Sequence, residues 1–310
     1  MSVVAALPTR IADPVSSAVV ERAANDPDAQ AKRVVAERAA EIALRARLRR
    51  DRLRAAALVA IPPLAGLTLF VLVWAIVASG TDSRLPGPLK TWASAVDLFG
   101  KPFYRNGPND QGIGWNILSS LARVGLGFGL AAAIGIPVGF VIGRSQFLGR
   151  MAAPVISLLR PVSPLAWLPI GLLVFKAANP AAIWVIFISS IWPMVLNTAA
   201  GVQRIPLDYL NVARVLNLSE WKVFTKILLP ATLPAMLTGV RLAIGVAWLV
   251  IVAAEMLTGG VGIGFWVWDE WNNLNVEHII IAIFVVGIVG LALEQMLLWT
   301  ARRLTHGSDY

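Results

Sequence analysis

Six blocks of mostly apolar residues alternate with polar stretches along the chain, at about 56–79, 118–143, 154–175, 181–202, 228–256 and 278–301. Each is near the roughly 20 residues that a helix needs to cross a hydrocarbon core of about 30 Å. The pattern predicts an all-α membrane protein with six transmembrane helices, which places both termini on one side. The second block carries Gly125 and Gly129, then Gly135, Gly139 and Gly143, at four-residue spacing that permits close helix–helix contact. The first includes Pro62 and Pro63. The third carries Pro154, Pro161, Pro164 and Pro169, so its helix must be kinked or broken, which a membrane allows where protein buries the backbone.

The polar segments divide the rest. Residues 1–30 are rich in Ala, Pro, Asp and Ser and read as a mobile tail. Residues 31–54 suit a basic helix, either a surface or partner-binding helix or, the reading preferred here, a solvated extension of the first span. The organisation expected is a tail and basic helix over 1–54, a transmembrane domain over 55–305 and a short tail over 306–310. Residues 80–115 form a polar stretch with several Pro and Gly. Between the fifth and sixth spans, 257–277 brings Trp266, Trp268 and Trp271 to a position typical of an interfacial aromatic belt, and predicts a short amphipathic helix lying on the outer surface.

The segment 207–230 is the least expected in such a chain. Pro206 can open a helix with Leu207, Leu210 and Ala213 on one face, and Asn217 can end it in the left-handed conformation. Ser219 can cap a second helix whose apolar side is Trp221, Phe224 and Ile227. Arg214, Lys222 and Lys226 frame the result, an apolar ridge between cations that has the character of a docking surface.

Composition fits this outline: 57% of the 310 residues are hydrophobic and only 15% charged, against about 25% charged in soluble domains. The net charge of +9 could suggest nucleic acid, but the basic residues cluster at 45–54, 144–150, 204–226 and 302–303. Those stretches share one side if the spans alternate, so the charge reads as positive-inside topology with cytoplasmic termini, and no basic-aromatic module for nucleic acid remains. The segments 80–115 and 257–277 then lie outside, carrying Asp97, Asp110, Asp269, Glu270 and Glu277. No cleavable leader is visible, so the first span is expected to act as the insertion signal.

The chemistry available is narrow. With no cysteine and two histidines, Cys-ligated metals and a zinc triad are excluded. No phosphate-binding G-x-x-x-x-G-K-[ST] loop occurs, no catalytic set is visible at span depth, and the glycines at 259–264 lack the setting of a dinucleotide site. Intramembrane charges are costly and mark function by default. Arg241 lies 11 residues beyond Pro230, about 16 Å in at about 1.5 Å per residue, with Gly245, Trp248 and then Glu255 following on its helix. Arg241 can contact a desolvated anion, pair with another helix or snorkel. Arg123 and Arg160 lie nearer span ends, where snorkelling is favoured, and complete the set of path candidates. Glu255 would repel an anion, so a structural or gating part with Arg123 as partner is expected.

The 211–230 stretch resembles the EAA loop of ABC-importer permeases, whose pattern is Glu-Ala-Ala, a Gly four residues later, then Ile-x-Leu-Pro. The corresponding positions here are Asn211, Val212, Ala213, Asn217, Ile227, Leu229 and Pro230, with the spacing kept and three residue types replaced. The resemblance extends over about 55–305. "RPVSPLAWLPIGLLVF" (160–175), "GVRLAIGVAWLVIVAAEML" (239–257) and "GVGIGFWVWD" (260–269) resemble the subfamily that imports nitrate, sulfonates and taurine, and "KPFYRNGPNDQGIGW" (101–115) resembles its nitrate/nitrite/cyanate/bicarbonate branch.

The resemblance implies the architecture of a type I ABC-importer permease, with a cytoplasmic coupling helix through Leu207, Leu210, Asn211, Val212, Ala213, Arg214 and Asn217. It implies a non-enzymatic transport subunit of the inner membrane that carries no cofactor. ATP and Mg would sit on partner ATPase subunits, an external or tethered substrate-binding protein would deliver cargo, and a second permease copy would complete the path. Sulfonate, taurine, cyanate and bicarbonate are alternative cargoes. An ion-gradient-driven secondary transporter is the alternative class, although no repeat between 55–175 and 180–305 supports it. A pure scaffold would need neither Arg241 nor a broken third span.

Overall fold

The computed structural model describes residues 27–81 and 85–305; the tail read over residues 1–30 lies largely outside them, as do residues 306–310. Two compact units divide the chain, Met1–Ile76 and Val77–Tyr310. The described part of the first is helical: α1 runs without a break from Pro27 to Gly80 and passes through Pro62 and Pro63. Its 57–80 portion is apolar and long enough to cross a bilayer. The residues before it, with Arg45 paired to Glu41 one turn away, belong to the same helix.

The second unit is all-helical among its described residues, apart from an isolated bridge between Arg105 and Gln111. In chain order it contains α2 (Pro88–Gly100), α3 (Ile113–Arg144), α4 (Gln146–Leu159), a 3-10 turn (Pro164–Trp167), α5 (Leu168–Phe175), α6 (Ala178–Gln203), α7 (Leu207–Val215), α8 (Glu220–Val223), α9 (Leu229–Thr258), α10 (Ile263–Asn272) and α11 (Val276–Thr305). Five helical segments of the described chain are long and apolar enough to span a membrane, or six if the bent pair α4 and α5 makes one span.

At the centre, α6 packs between α3 and α9. Missing side chains make the α3–α6 approach possible. A Cβ at Gly139 would stand 2.7 Å from Thr198 Cβ, and one at Gly143 would stand 2.8 Å from the Ala199 carbonyl. Gly127, not Gly125 or Gly129, continues this row: its Cβ would meet Ile186 at 2.7 Å, whereas the other two have nothing within 4 Å. Gly125 and Gly129 therefore take no part in the α3–α6 contact. Ile186, Ile251, Ile263, Trp248 and Trp266 form the principal apolar core.

Several expectations change. The third span was expected at 154–175, but its first helix begins at Gln146 and the pair is bent by 94°. Pro161 stands in the break, while Pro164 and Pro169 open the two helical pieces after it, where a missing N–H costs nothing. Within the polar stretch 80–115, α2 occupies 88–100. Trp266 is not an interfacial anchor: it is buried in the core and stacks on His278, while Trp268 and Trp271 remain exposed. Its position on α10 turns it inward with Ile263, a consequence of packing that the Trp spacing alone does not reveal.

Candidate functional site

The second unit carries three polar features, two on α9 and one in the segment that leads into it. The first is centred on Glu255, in the last turn of α9, which is 1% exposed. Its carboxylate accepts from Arg123 Nη1 at 2.5 Å, from the Ser120 hydroxyl at 2.8 Å and from the Gly264 N–H at 3.0 Å. Ser120 accepts in turn from the Ile263 N–H (2.9 Å), and Asn116 Oδ1 accepts from the Gly262 N–H (2.9 Å). Three side chains from α3 and α9 thus satisfy three successive N–H groups at the start of α10, donors that a helix leaves without intrahelical partners. A carboxylate at a helix N-terminus is also favoured by the helix dipole. The geometry needs glycine: a Cβ on Gly262 would stand 2.4 Å from the Glu255 carboxyl, and one on Gly264 would stand 2.0 Å from the Val252 carbonyl. Gly259 and Gly260, at φ 75° and 94°, make the turn that returns the chain over Glu255.

Arg123 does not snorkel as expected from its position near a span end. Its side chain is 12% exposed, and Nε donates to Asn179 Oδ1 at the start of α6 at 2.6 Å. The knot therefore ties α3, α6, α9 and α10 together. Asn116, Ser120 and Asn179 were missed from the sequence because neutral polar residues in apolar runs carry no individual signal.

The loop over residues 101–112, beside this knot, is folded on itself. Trp115 donates to the Phe103 carbonyl (3.0 Å) and meets the Phe103 ring edge-on, with the Arg105 guanidinium 4.1 Å from its centroid. Burial, then the contact with Asp110, holds the Tyr104 phenol above the usual tyrosine range. Lys90 of α2 pairs with Glu277 of α11 at 2.5 Å.

The second feature lies along the middle of the unit. Arg241 forms an ion pair with Glu294 of α11, both partly exposed, so of the readings left open it is the inter-helix pair that the structure displays. Trp248, two turns on, is buried and donates to the Val286 carbonyl at 2.9 Å. Both line a mostly apolar groove between α9 and α11. Arg160 stands elsewhere, exposed at the 94° break after α4. It faces a separate cavity of about 640 Å³ with Ser189, Trp192 and Asn197 of α6 and Val246 of α9. The structure does not bring Arg160 and Arg241 into one site.

The third feature is the segment before α9. Asn217 is left-handed (φ 47°), ending α7 with the Leu218 N–H bonded to the Ala213 carbonyl at 3.0 Å. Ser219 holds the N-cap position of α8, but its side chain makes no capping hydrogen bond. A π-turn over Phe224–Leu228 joins α8 to α9 and carries Leu229 and Pro230 into the span. The apolar face drawn through Leu207, Leu210 and Ala213 splits: Ala213 is buried and Leu210 packs on its cluster, while Leu207 is 73% exposed. Tyr209, Val212 and Leu216, at helical spacing, are exposed as well, and so is Trp221, which stacks on Phe224. The face read from the spacing therefore packs inward only at Leu210 and Ala213. Asn211 accepts from Arg214 at 3.4 Å, and Arg144 of α3 pairs with Glu220 at 2.7 Å.

Residues 135–306 match the family model of the binding-protein-dependent transport system inner membrane component. The chain is 48% identical over 237 residues to the nitrate import permease protein NrtB of Synechocystis sp., covering 76% of this chain and 86% of that protein. It is 46% identical over 243 residues to the bicarbonate transport system permease protein CmpB of Synechococcus elongatus, covering 77% and 87%. Among solved structures, a crystal structure of an amino acid ABC transporter with histidines shares the fold, with a TM-score of 0.52 at 16% identity over 69% of this chain and 97% of that one. The chain belongs to the family of inner membrane components of binding-protein-dependent transport systems, the permease subunits of ABC importers.

Proposed function

We propose that this permease imports a small inorganic oxyanion, nitrate (or nitrite) first, by alternating access driven by ATP hydrolysis on separate subunits. The observation that carries the cargo is the 48% identity to a nitrate import permease, sustained over 86% of that protein's length. Bicarbonate is the second reading, favoured by the 46% identity to a bicarbonate permease; both anions are planar and singly charged.

The residues divide the work. Arg160, with Ser189, Trp192 and Asn197 on its cavity, is the group offered to the anion, since no carboxylate lines that cavity. A guanidinium with nearby amide and hydroxyl groups suits a planar oxyanion by charge-assisted hydrogen bonds. Arg241, held by Glu294, and Arg123, held by Glu255, have their charge balanced within the fold and serve the helix arrangement rather than the cargo. The exposed ridge Tyr209, Val212 and Leu216, with Arg214 and Lys222 around it, is the surface that an ATPase subunit would grip. ATP and Mg would be bound by that partner and not by this chain. A substrate-binding protein would dock at the other end, near α2, the 101–112 loop and α10, and a second copy of the permease would complete the path. The basic ends then face the cytoplasm, with both termini on that side.

The test is uptake of labelled nitrate by the reconstituted complex, with bicarbonate, cyanate and taurine as competitors. No uptake of labelled nitrate, with labelled bicarbonate taken up by the same preparation, would transfer the assignment to the second reading.

A further inference from the structure

A cavity of about 760 Å³ opens where the end of α3, the first two turns of α4, the end of α6 and α7 converge. Arg144, Arg150 and Arg214 stand on its wall with Gln146 and Gln203, and no carboxylate lines it. Glu220 balances Arg144, and Asn211 takes one hydrogen bond from Arg214. Arg150 has no ion-pair partner among the described residues. The positive end of the α4 dipole adds to the same field, because α4 begins at Gln146 on the cavity wall. Three guanidinium groups around one opening are suited to a phosphate, which they can grip bidentately.

Beside the cavity, the neighbouring face of α4 is apolar and open. Phe147, Met151, Val155 and Leu158 are 71%, 58%, 53% and 71% exposed. They recur at helical spacing over 11 residues, about 16 Å at about 1.5 Å per residue. That length matches one leaflet of a hydrocarbon core about 30 Å thick. A free phosphate would use the arginines and have no use for this stripe.

We propose that the cavity holds the headgroup of an anionic phospholipid, with an acyl chain laid along the Phe147–Leu158 stripe of α4. Basic pockets between helices at the inner surface of a membrane are suited to anionic headgroups. The inference rests on the proposed topology, which sets these arginines at that surface. A lipid bound here touches α3, α4, α6 and α7 at once, so it would tie the exposed ridge of α7 to the spans.

The experiment uses the complete complex, delipidated in detergent and titrated with phosphatidylglycerol or phosphatidylcholine, with bound lipid counted by native mass spectrometry. Phosphatidylglycerol is expected to be retained and phosphatidylcholine lost. Arg150→Gln is expected to lower phosphatidylglycerol retention at least fivefold, with Arg150→Lys intermediate and both variants unfolding at the wild-type temperature. Phe147→Ser is expected to weaken phosphatidylglycerol binding as well. Equal retention of the two lipids, or unchanged retention in Arg150→Gln, would overturn the proposal. Displacement of phosphatidylglycerol by millimolar inorganic phosphate would overturn it in favour of a free-anion site. Nitrate uptake measured on the same preparation separates the two readings: lost lipid selectivity with intact uptake removes only this one.

Discussion

Glu255 illustrates how one buried charge can be structural in a transport protein. Its carboxylate is met by a guanidinium, a hydroxyl and a backbone N–H, so the cost of desolvation is offset on every side. Replacing it with Leu would leave Arg123 buried beside apolar surface, and the loss expected is about 3–5 kcal/mol. Ser120→Ala, which strips one partner each from the carboxylate and the Ile263 N–H, is expected to cost about 1–3 kcal/mol. Thermal unfolding of the purified complex measures both, and a double-mutant cycle between Arg123 and Glu255 should return a clear coupling energy. Gly264→Ala is expected to prevent assembly, because the new Cβ would lie 2.0 Å from a backbone carbonyl that has no side-chain freedom to yield. Gly287→Ala is the control: nothing lies within 4 Å of that position, and the helix should gain about 0.5–1 kcal/mol. Arg160→Ala, by contrast, should leave folding intact and reduce uptake about tenfold or more, since a hydrogen bond to a charged group contributes about 1.5–3 kcal/mol. Uptake rates at saturating and limiting nitrate check this.

At the scale of elements, the short helix α7 separates two jobs that a periodicity argument merges. Leu210 and Ala213 hold it to Phe140, Val202 and Ile205, while Tyr209, Val212 and Leu216 face outward. Val212→Asp and Arg214→Glu are therefore expected to uncouple ATP hydrolysis from transport while the complex stays assembled. Leu210→Asp should instead lower stability, because its effect falls on packing. ATPase stimulation by loaded binding protein, measured beside uptake, distinguishes the two outcomes. The apolar runs made the long helices legible, and the prolines made the break in the third span legible, because both follow from local chemistry. The left-handed Asn217 could be read in the same way. The length of α4 could not, since Arg150 and Gln146 look like loop residues until the cavity they line is seen. Nor could the Glu255 knot be read in full: depth suggested Arg123, but Asn116, Ser120 and the α10 N-terminus meet it only through the turn at Gly259 and Gly260.

Across the whole second unit, α9 joins these parts. It begins beside α7 and α8 and carries Glu255 in its last turn, so the start of the helix and the knot are about 39 Å apart at about 1.5 Å per residue. The groove with Arg241 lies between them, on a helix that also packs along α6 and reaches the Arg160 cavity through Val246. A push at the ridge would therefore be carried by a rigid element past the cavity to the knot, which suits alternating access powered from one end. The most direct measurement is accumulation of labelled nitrate by proteoliposomes holding the complete complex, loaded binding protein and ATP, with no ion gradient across the membrane. The account predicts uphill accumulation that stops when ATP is removed and is lost in Val212→Asp. Accumulation that ignores ATP and follows an imposed proton or sodium gradient would contradict it.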